Sequence, residues 1–211
     1  MRHLEQAAGT PDADLEASDR TIVGCVGEEP VSRLVERARK GSPEAWEALY
    51  RRSFPRLLAY ARRRLPSEEH ARDAVSEAMV RAVSSLERFA NEGAGFDAWL
   101  YGILRHVVLD TQRRLWREVP TETPAPNLAV AHDSTAADLV FDRDDACRLR
   151  SAFVRLSALE QEILELRVVA GLSAEAVASV VGRRPGAVRM AQARALARLR
   201  KHLSEEGWDV A

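Results

Sequence analysis

The chain has 211 residues, 46% of them hydrophobic and 6% aromatic, and carries a formal net charge of −1. That length allows one or two small cores, and no apolar run reaches the roughly eighteen residues a membrane span needs. The acidic N-terminus lacks a signal-peptide core, so a chain that stays in the cytoplasm is expected. Cys25 and Cys147 stand far apart with no C-x-x-C spacing, which points to neither a disulfide framework nor a zinc site.

Few aromatics and few β-branched alternations favour helices over sheet throughout. Residues 1–30 read as a disordered extension, acidic and broken by Gly9-Thr10-Pro11 and by the stretch from Gly24 to Pro30. A helical pattern starts at Val31, with Leu34, Val35 and Ala38 on one face, and ends at Gly41. Ser42-Pro43-Glu44 then supplies an N-cap, a proline at the first helical position and an acid in the first turn. The second helix carries Trp46, Leu49, Tyr50, Phe54, Leu57, Leu58, Ala61 and Leu65 at spacings of three and four, with Pro55 set to kink it. Pro66-Ser67 restarts the chain. The third helix shows the cleanest stripe, Ala71, Ala74, Val75, Ala78, Met79, Ala82 and Leu86, and sets Arg72, Asp73, Ser76, Glu77 and Arg81 on its other side.

After Phe89 the sequence "ANEGAG" marks a compact loop. A fourth helix follows from about Phe96 to Arg117, with Phe96, Trp99, Leu100, Ile103 and Val107 inward and a polar, basic second half. Three prolines and many acids then make 118–145 a flexible linker, too long for a helix connection inside one compact domain. The expected architecture is therefore all-α, with two small helical domains at 31–117 and 146–204 and a short tail at 205–211.

Charge is segregated along this plan. The two domains hold 28 of the 31 basic residues and 15 of the 32 acids, a net of +13, whereas residues 1–30 and 118–145 carry seven acids each. Such a distribution is the electrostatic footprint of a surface that binds a polyanion.

The second domain opens with a helix from about Cys147 through Leu156, and Ser157-Ala-Leu-Glu160 forms a capping box for the next helix, which Gly171 closes. Ser173 caps a short helix ending at Gly182, and Pro185-Gly186 begins another. Ala178, Gly182 and Val188 fall where a helix-turn-helix needs a small residue, a residue tolerant of positive φ and an apolar anchor. The second of these helices presents Arg184, Arg189, Met190, Ala193 and Arg194 outward, suited to base edges in a major groove. Arg183, Arg198, Arg200 and Lys201 are placed for phosphates.

The order of parts resembles the extracytoplasmic-function group of the sigma-70 superfamily, whose members keep only the second and fourth conserved regions. Three stretches carry the resemblance: "EEHARDAVSEAMVRAVSSLERF", "FDAWLYGILRHVVLDTQRR" and "LSALEQEILELRVVAGLSAEAVASVVGRRPGAVRMAQARALARLR". It implies a sigma factor that binds core RNA polymerase, directs it to promoters and helps to open the −10 region. Asp73, Ser76, Glu77 and Arg81 would face the clamp helices of β′, with Ser76 standing where glutamine is common. The "ANEGAG" loop, with Asn91, and Phe96 would take up a base flipped from the −10 element. Arg105, His106, Asp110 and Arg113 would line the non-template strand, with Arg117 beyond them and His106 in place of the usual asparagine. Tyr101 is a stacking candidate. Arg189, Met190, Ala193 and Arg194 would read the −35 element, flanked by Arg183, Arg184 and Arg198. The β flap is a further expected contact, an anti-sigma factor a possible partner, and the acidic linker would lie in the polymerase cleft. The chain would act as a monomer within holoenzyme, with no cofactor or metal.

An autonomous helix-turn-helix regulator is the alternative, but it leaves the first domain without a task and normally dimerises on symmetric sites. No Walker loop, H-E-x-x-H motif or metal-ligand cluster supports an enzyme.

Overall fold

The computed structural model describes residues 29–90, 93–118 and 143–205, and every regular element among them is helical. The helices are α1 (Val31–Arg39), α2 (Pro43–Arg62), α3 (Glu68–Ser85), α4 (Gly95–Glu118), α5 (Arg143–Val154), α6 (Ala158–Leu164), α7 (Ala174–Val181) and α8 (Pro185–Glu205). A 3-10 turn at Leu86–Arg88 follows α3, and a π turn at Glu165–Val169 extends α6. Most of the proposed linker and the terminal extension lie outside the described residues.

Helix starts follow the serines. Ser42, Ser67, Ser157 and Ser173 all sit in extended backbone, and their hydroxyls accept from Ala45, His70, Glu160 and Ala176 N–H. Each such cap contributes about 1 kcal/mol by satisfying a donor that the helix itself leaves orphaned. The expected capping box is present in full, since Glu160 Oε2 also accepts from the Ser157 N–H at 3.1 Å. Several boundaries differ from the sequence reading. Leu65, expected on the second helix, lies past the end of α2 at Arg62; Leu86, expected on the stripe of α3, lies in the 3-10 turn; and α5, expected from about Cys147 through Leu156, begins at Arg143, inside the stretch read as linker, and ends at Val154. Asp144 and Asp145 in its first turn favour that start, because carboxylates complement the positive end of the helix dipole.

In the N-terminal half α1 packs on α2, α2 on α3 and α3 on α4; in the C-terminal half α5, α6 and α7 all pack on α8. The two halves also meet, because α7 lies on α4. One buried core runs through both, from Leu49, Leu57, Val75 and Leu104 to Ile163, Leu166, Val177 and Val188. A smaller cluster of Leu156, Leu164 and Ala195 joins α6 to α8. Trp46 and Trp99 pack against the main core as expected, whereas Tyr50 is exposed and stacks on Phe54 at 5.1 Å between ring centroids.

The start of α3 is tied back to the end of α2. Glu68 accepts from Arg62 at 2.6 and 2.5 Å and from Arg72 at 2.7 Å. These hydrogen bonds, that of Arg62 first, hold the Glu68 carboxyl down to about 2. A lowered carboxylate pKa stabilises the fold above the ordinary range near 4 and ceases to do so as pH falls towards 2. An NMR titration of the Glu68 carboxyl should therefore find its midpoint near 2, and Arg62→Ala should move it up towards the ordinary range. A midpoint already ordinary in the wild type would mean that the pairs do not form.

Candidate nucleic-acid and polymerase interfaces

The polar side of α3 is fully presented. Asp73, Ser76, Glu77 and Arg81 are all exposed, with Arg81 Nη2 donating to Glu77 Oε1 at 2.6 Å. Beside them Val80 and Val83 are also exposed, at 66% and 52%, an apolar pair that sequence reasoning missed because neither falls on the buried stripe. A surface pairing charges with exposed valines has the anatomy of a protein interface.

The face of α4 assigned to the opened strand is different, for much of it is covered. Phe96 and Tyr101 are 4% and 5% exposed, and burial pushes the Tyr101 phenol up to about 12, so it stays a neutral ring at any physiological pH. Phe96 meets Phe89 edge-on at 5.9 Å and Trp99 at 5.6 Å. A cleft of 440 Å³ opens beside this cluster, lined by Phe89, Gly93, Gly95 and Phe96 on one side and by Leu172, Ser173 and Ala176 on the other. Gly93 and Gly95 take φ of 69° and 76°, the left-handed backbone that a side chain disfavours. Asn91 lies outside the described residues. Arg105 is half-buried against Glu162, while His106, Asp110, Arg113 and Arg117 are exposed. Asp110 accepts from Arg113 at 3.2 Å, Arg117 donates to the Arg113 carbonyl at 3.3 Å, and His106 Nδ1 lies 2.7 Å from the Gly102 carbonyl.

The helix-turn-helix is formed as its spacing predicts. Ala178 and Val188 are buried between α7 and α8, and Gly182 closes α7 at φ 66°, its N–H bonded to the Ala178 carbonyl. Arg183, Arg184, Arg189, Met190, Ala193 and Arg194 all face solvent. Two guanidiniums are already oriented: Arg189 Nη1 donates to Glu175 Oε1 at 2.8 Å, and Arg198 Nη1 donates to both oxygens of Glu160 at 2.7 and 2.9 Å. Arg167 holds the turn to α8, donating to Gln192 Oε1 at 2.9 Å and to the Leu172 carbonyl. No cluster of potential metal ligands occurs among the described residues, and no described helix is long and apolar enough to cross a membrane.

Comparison with known proteins identifies both halves. The Sigma-70 region 2 family matches residues 49–118 and Sigma-70 region 4 matches residues 152–201. The ECF RNA polymerase sigma factor SigD of Mycobacterium bovis is 34% identical over 85% of this chain and 86% of its own length. The chain belongs to the ECF sigma factors.

Solved sigma factors share the fold. CnrH, in complex with the cytosolic domain of CnrY, matches with a TM-score of 0.59 and 25% identity, covering 83% of this chain and 99% of CnrH. RpoE of Bartonella quintana, in complex with the anti-sigma factor NepR, matches with a TM-score of 0.57 and 25% identity, covering 75% of this chain and 96% of RpoE. Members of this family are transcription initiation factors that bind core RNA polymerase, and the helix-turn-helix of this sigma factor lies within its region 4 match.

Gly182 gives a direct check on that motif. A Cβ built there meets no neighbour, so the cost of Gly182→Ala lies in the left-handed backbone alone, about 1–2 kcal/mol. Chemical denaturation should show that loss, and Gly182→Asn should restore part of it. A loss well beyond this would mean that α7 and α8 rely on a contact not visible in the turn.

Proposed function

We propose that residues 31–117 dock on polymerase and open the −10 element, while residues 146–204 read the −35 element, with the acidic stretch between them as a tether. The observation that carries this is the exposed arginine face of α8 in a helix-turn-helix whose turn residue and anchors have the required geometry. Arg189, Met190, Ala193 and Arg194 read base edges there, with Arg184 beside them. Arg183 and Arg198 hold phosphates, the latter by leaving Glu160 or by sharing it.

On α3, Asp73, Ser76, Glu77 and Arg81 dock on the β′ clamp helices, with Val80 and Val83 as the apolar part of that contact. On α4 and the preceding loop, Asn91, Phe96 and Tyr101 receive an extruded base, and Arg105, His106, Asp110, Arg113 and Arg117 follow the non-template strand. Opening a duplex costs unstacking and unpairing energy, which a pocket for the extruded base and cations along the strand offset. The C-terminal region also meets the β flap. The protein acts in the cytoplasm, as a monomer within holoenzyme, without catalytic residues, cofactor or metal of its own. The likeness to a sigma factor solved with an anti-sigma factor supports control by a protein inhibitor.

The test is to mix the purified chain with core RNA polymerase, isolate the complex by size exclusion, and follow strand opening on promoter fragments. Co-elution with opening is expected; promoter binding without polymerase association would make the chain an autonomous regulator. In the same assay Arg189→Ala and Arg194→Ala should each cost about 1–3 kcal/mol in promoter discrimination. Arg183→Ala should instead weaken all sequences alike and lower the salt dependence by about one phosphate's worth.

A further inference from the structure

Beside the apolar contact of α7 on α4, the two halves meet along a charged seam. Tyr60 near the end of α2, Arg63 and Arg64 just after it, and Arg105 on α4 line one side; Glu162 of α6 and Glu165 of the π turn line the other. Tyr60 Oη donates to Glu162 Oε1 at 2.6 Å, and Arg105 Nε donates to the same oxygen at 3.0 Å. Arg64 Nη1 lies 2.5 Å from Glu165 Oε2, an ion pair without hydrogen-bond geometry at that oxygen, and Arg63 Nε lies 3.7 Å from Glu165 Oε1. The Arg64 guanidinium covers the Tyr60 ring at 3.6 Å and also donates to the Tyr60 carbonyl. Arg64 and Glu165 side chains are only 15% and 7% exposed. Burial drives the Tyr60 phenol far above its usual range, which keeps it a hydrogen donor.

Acids are scarce where these two come from. Residues 146–204 contain eleven basic residues and only four acids, Glu160, Glu162, Glu165 and Glu175. Glu160 and Glu175 serve Arg198 and Arg189 of their own half, while Glu162 and Glu165 both face the cations of the other half. Desolvating an ion pair costs several kcal/mol, so apolar residues of similar volume would join the halves at least as well. A charged joint has a different advantage: another polyanion can take its place. Three guanidiniums against two carboxylates leave the seam cationic. It is also continuous with the strand-handling face of α4, since Tyr60 packs edge-on against Tyr101 at 5.6 Å and Arg105 stands one turn beyond Tyr101.

We infer that Tyr60, Arg63, Arg64 and Arg105 form a backbone-phosphate site for single-stranded DNA, and that Glu162 and Glu165 occupy it as internal competitors in the free chain. The inference rests on the proposed strand-handling role of α4. It makes region 4 an occluder of region 2 until polymerase or DNA separates them, and it adds Tyr60, Arg63 and Arg64 to the strand-binding surface. In the free chain the covered Phe96 and Tyr101 are then unavailable to a base.

Full-length protein is titrated into a labelled oligothymidylate without polymerase. Relieving competition by Glu162→Gln with Glu165→Gln should tighten binding about tenfold, the worth of one or two charge-assisted hydrogen bonds. Adding Arg63→Ala and Arg64→Ala to that variant should abolish the gain. Unchanged affinity in the glutamine variant, or a gain that survives loss of both arginines, would overturn the inference. Hydroxyl-radical footprinting of the wild type covers the case in which the glutamine variant does not fold: excess oligothymidylate should expose Leu166, buried where the halves share their core, and its continued protection with DNA bound would equally overturn the inference. Polymerase-dependent promoter opening by the wild type, scored separately, tells failure of this site from failure of the sigma-factor role.

Discussion

Burial of α7 between α4 and α8 is the constraint on which the rest of the described structure depends. Six of its eight residues are buried, Ala174, Ala176, Val177, Ala178, Val180 and Val181, as befits a helix apolar on nearly all sides. One face completes the helix-turn-helix against α8, and the other lies on α4. Fully burying a valine contributes about 1.5–3 kcal/mol, so the contact is substantial even before charge is considered. It also places Leu172, Ser173 and Ala176 over the aromatic cleft beside Phe96.

The helical plan was legible in the sequence because its signals are local. Ser42, Ser67, Ser157 and Ser173 announce four helix starts, and Gly182 and Pro185 punctuate the turn. The exposed face of α8 was legible for the same reason, since one helix fixes which residues share a side. What the sequence hid is whatever depends on contacts between distant segments. Tyr60 and Glu162 are 102 positions apart, and nothing local to the run Arg62-Arg63-Arg64 indicates that Glu165 lies against it. Tyr101 likewise looked free to stack on a base, because nothing local says that another helix covers it. The π turn at Glu165–Val169, which carries a seam carboxylate, leaves no recognisable pattern either.

Charge explains why such a covered state can also be a working one. A protein with an excess of cations on both DNA-handling halves repels itself unless acids intervene, and Glu162 and Glu165 intervene where the halves touch. On the proposed reading, polymerase and promoter DNA would compete with each half for the other, which would make assembly and opening linked equilibria. The polar face of α3 and the arginine face of α8 stay exposed in the closed arrangement, which leaves both able to make first contact.

The central claim is that regions 2 and 4 of this sigma factor share one core in the free chain and part on the enzyme. Spin labels at Ser84→Cys on α3 and Ala197→Cys on α8, with Cys25 and Cys147 replaced by serine, would report it through pulsed dipolar distance measurement. A single narrow distance in the free protein, replaced by a longer one on adding core polymerase, is the predicted result. A broad, long distribution already present in the free protein, unchanged by polymerase, would contradict the account.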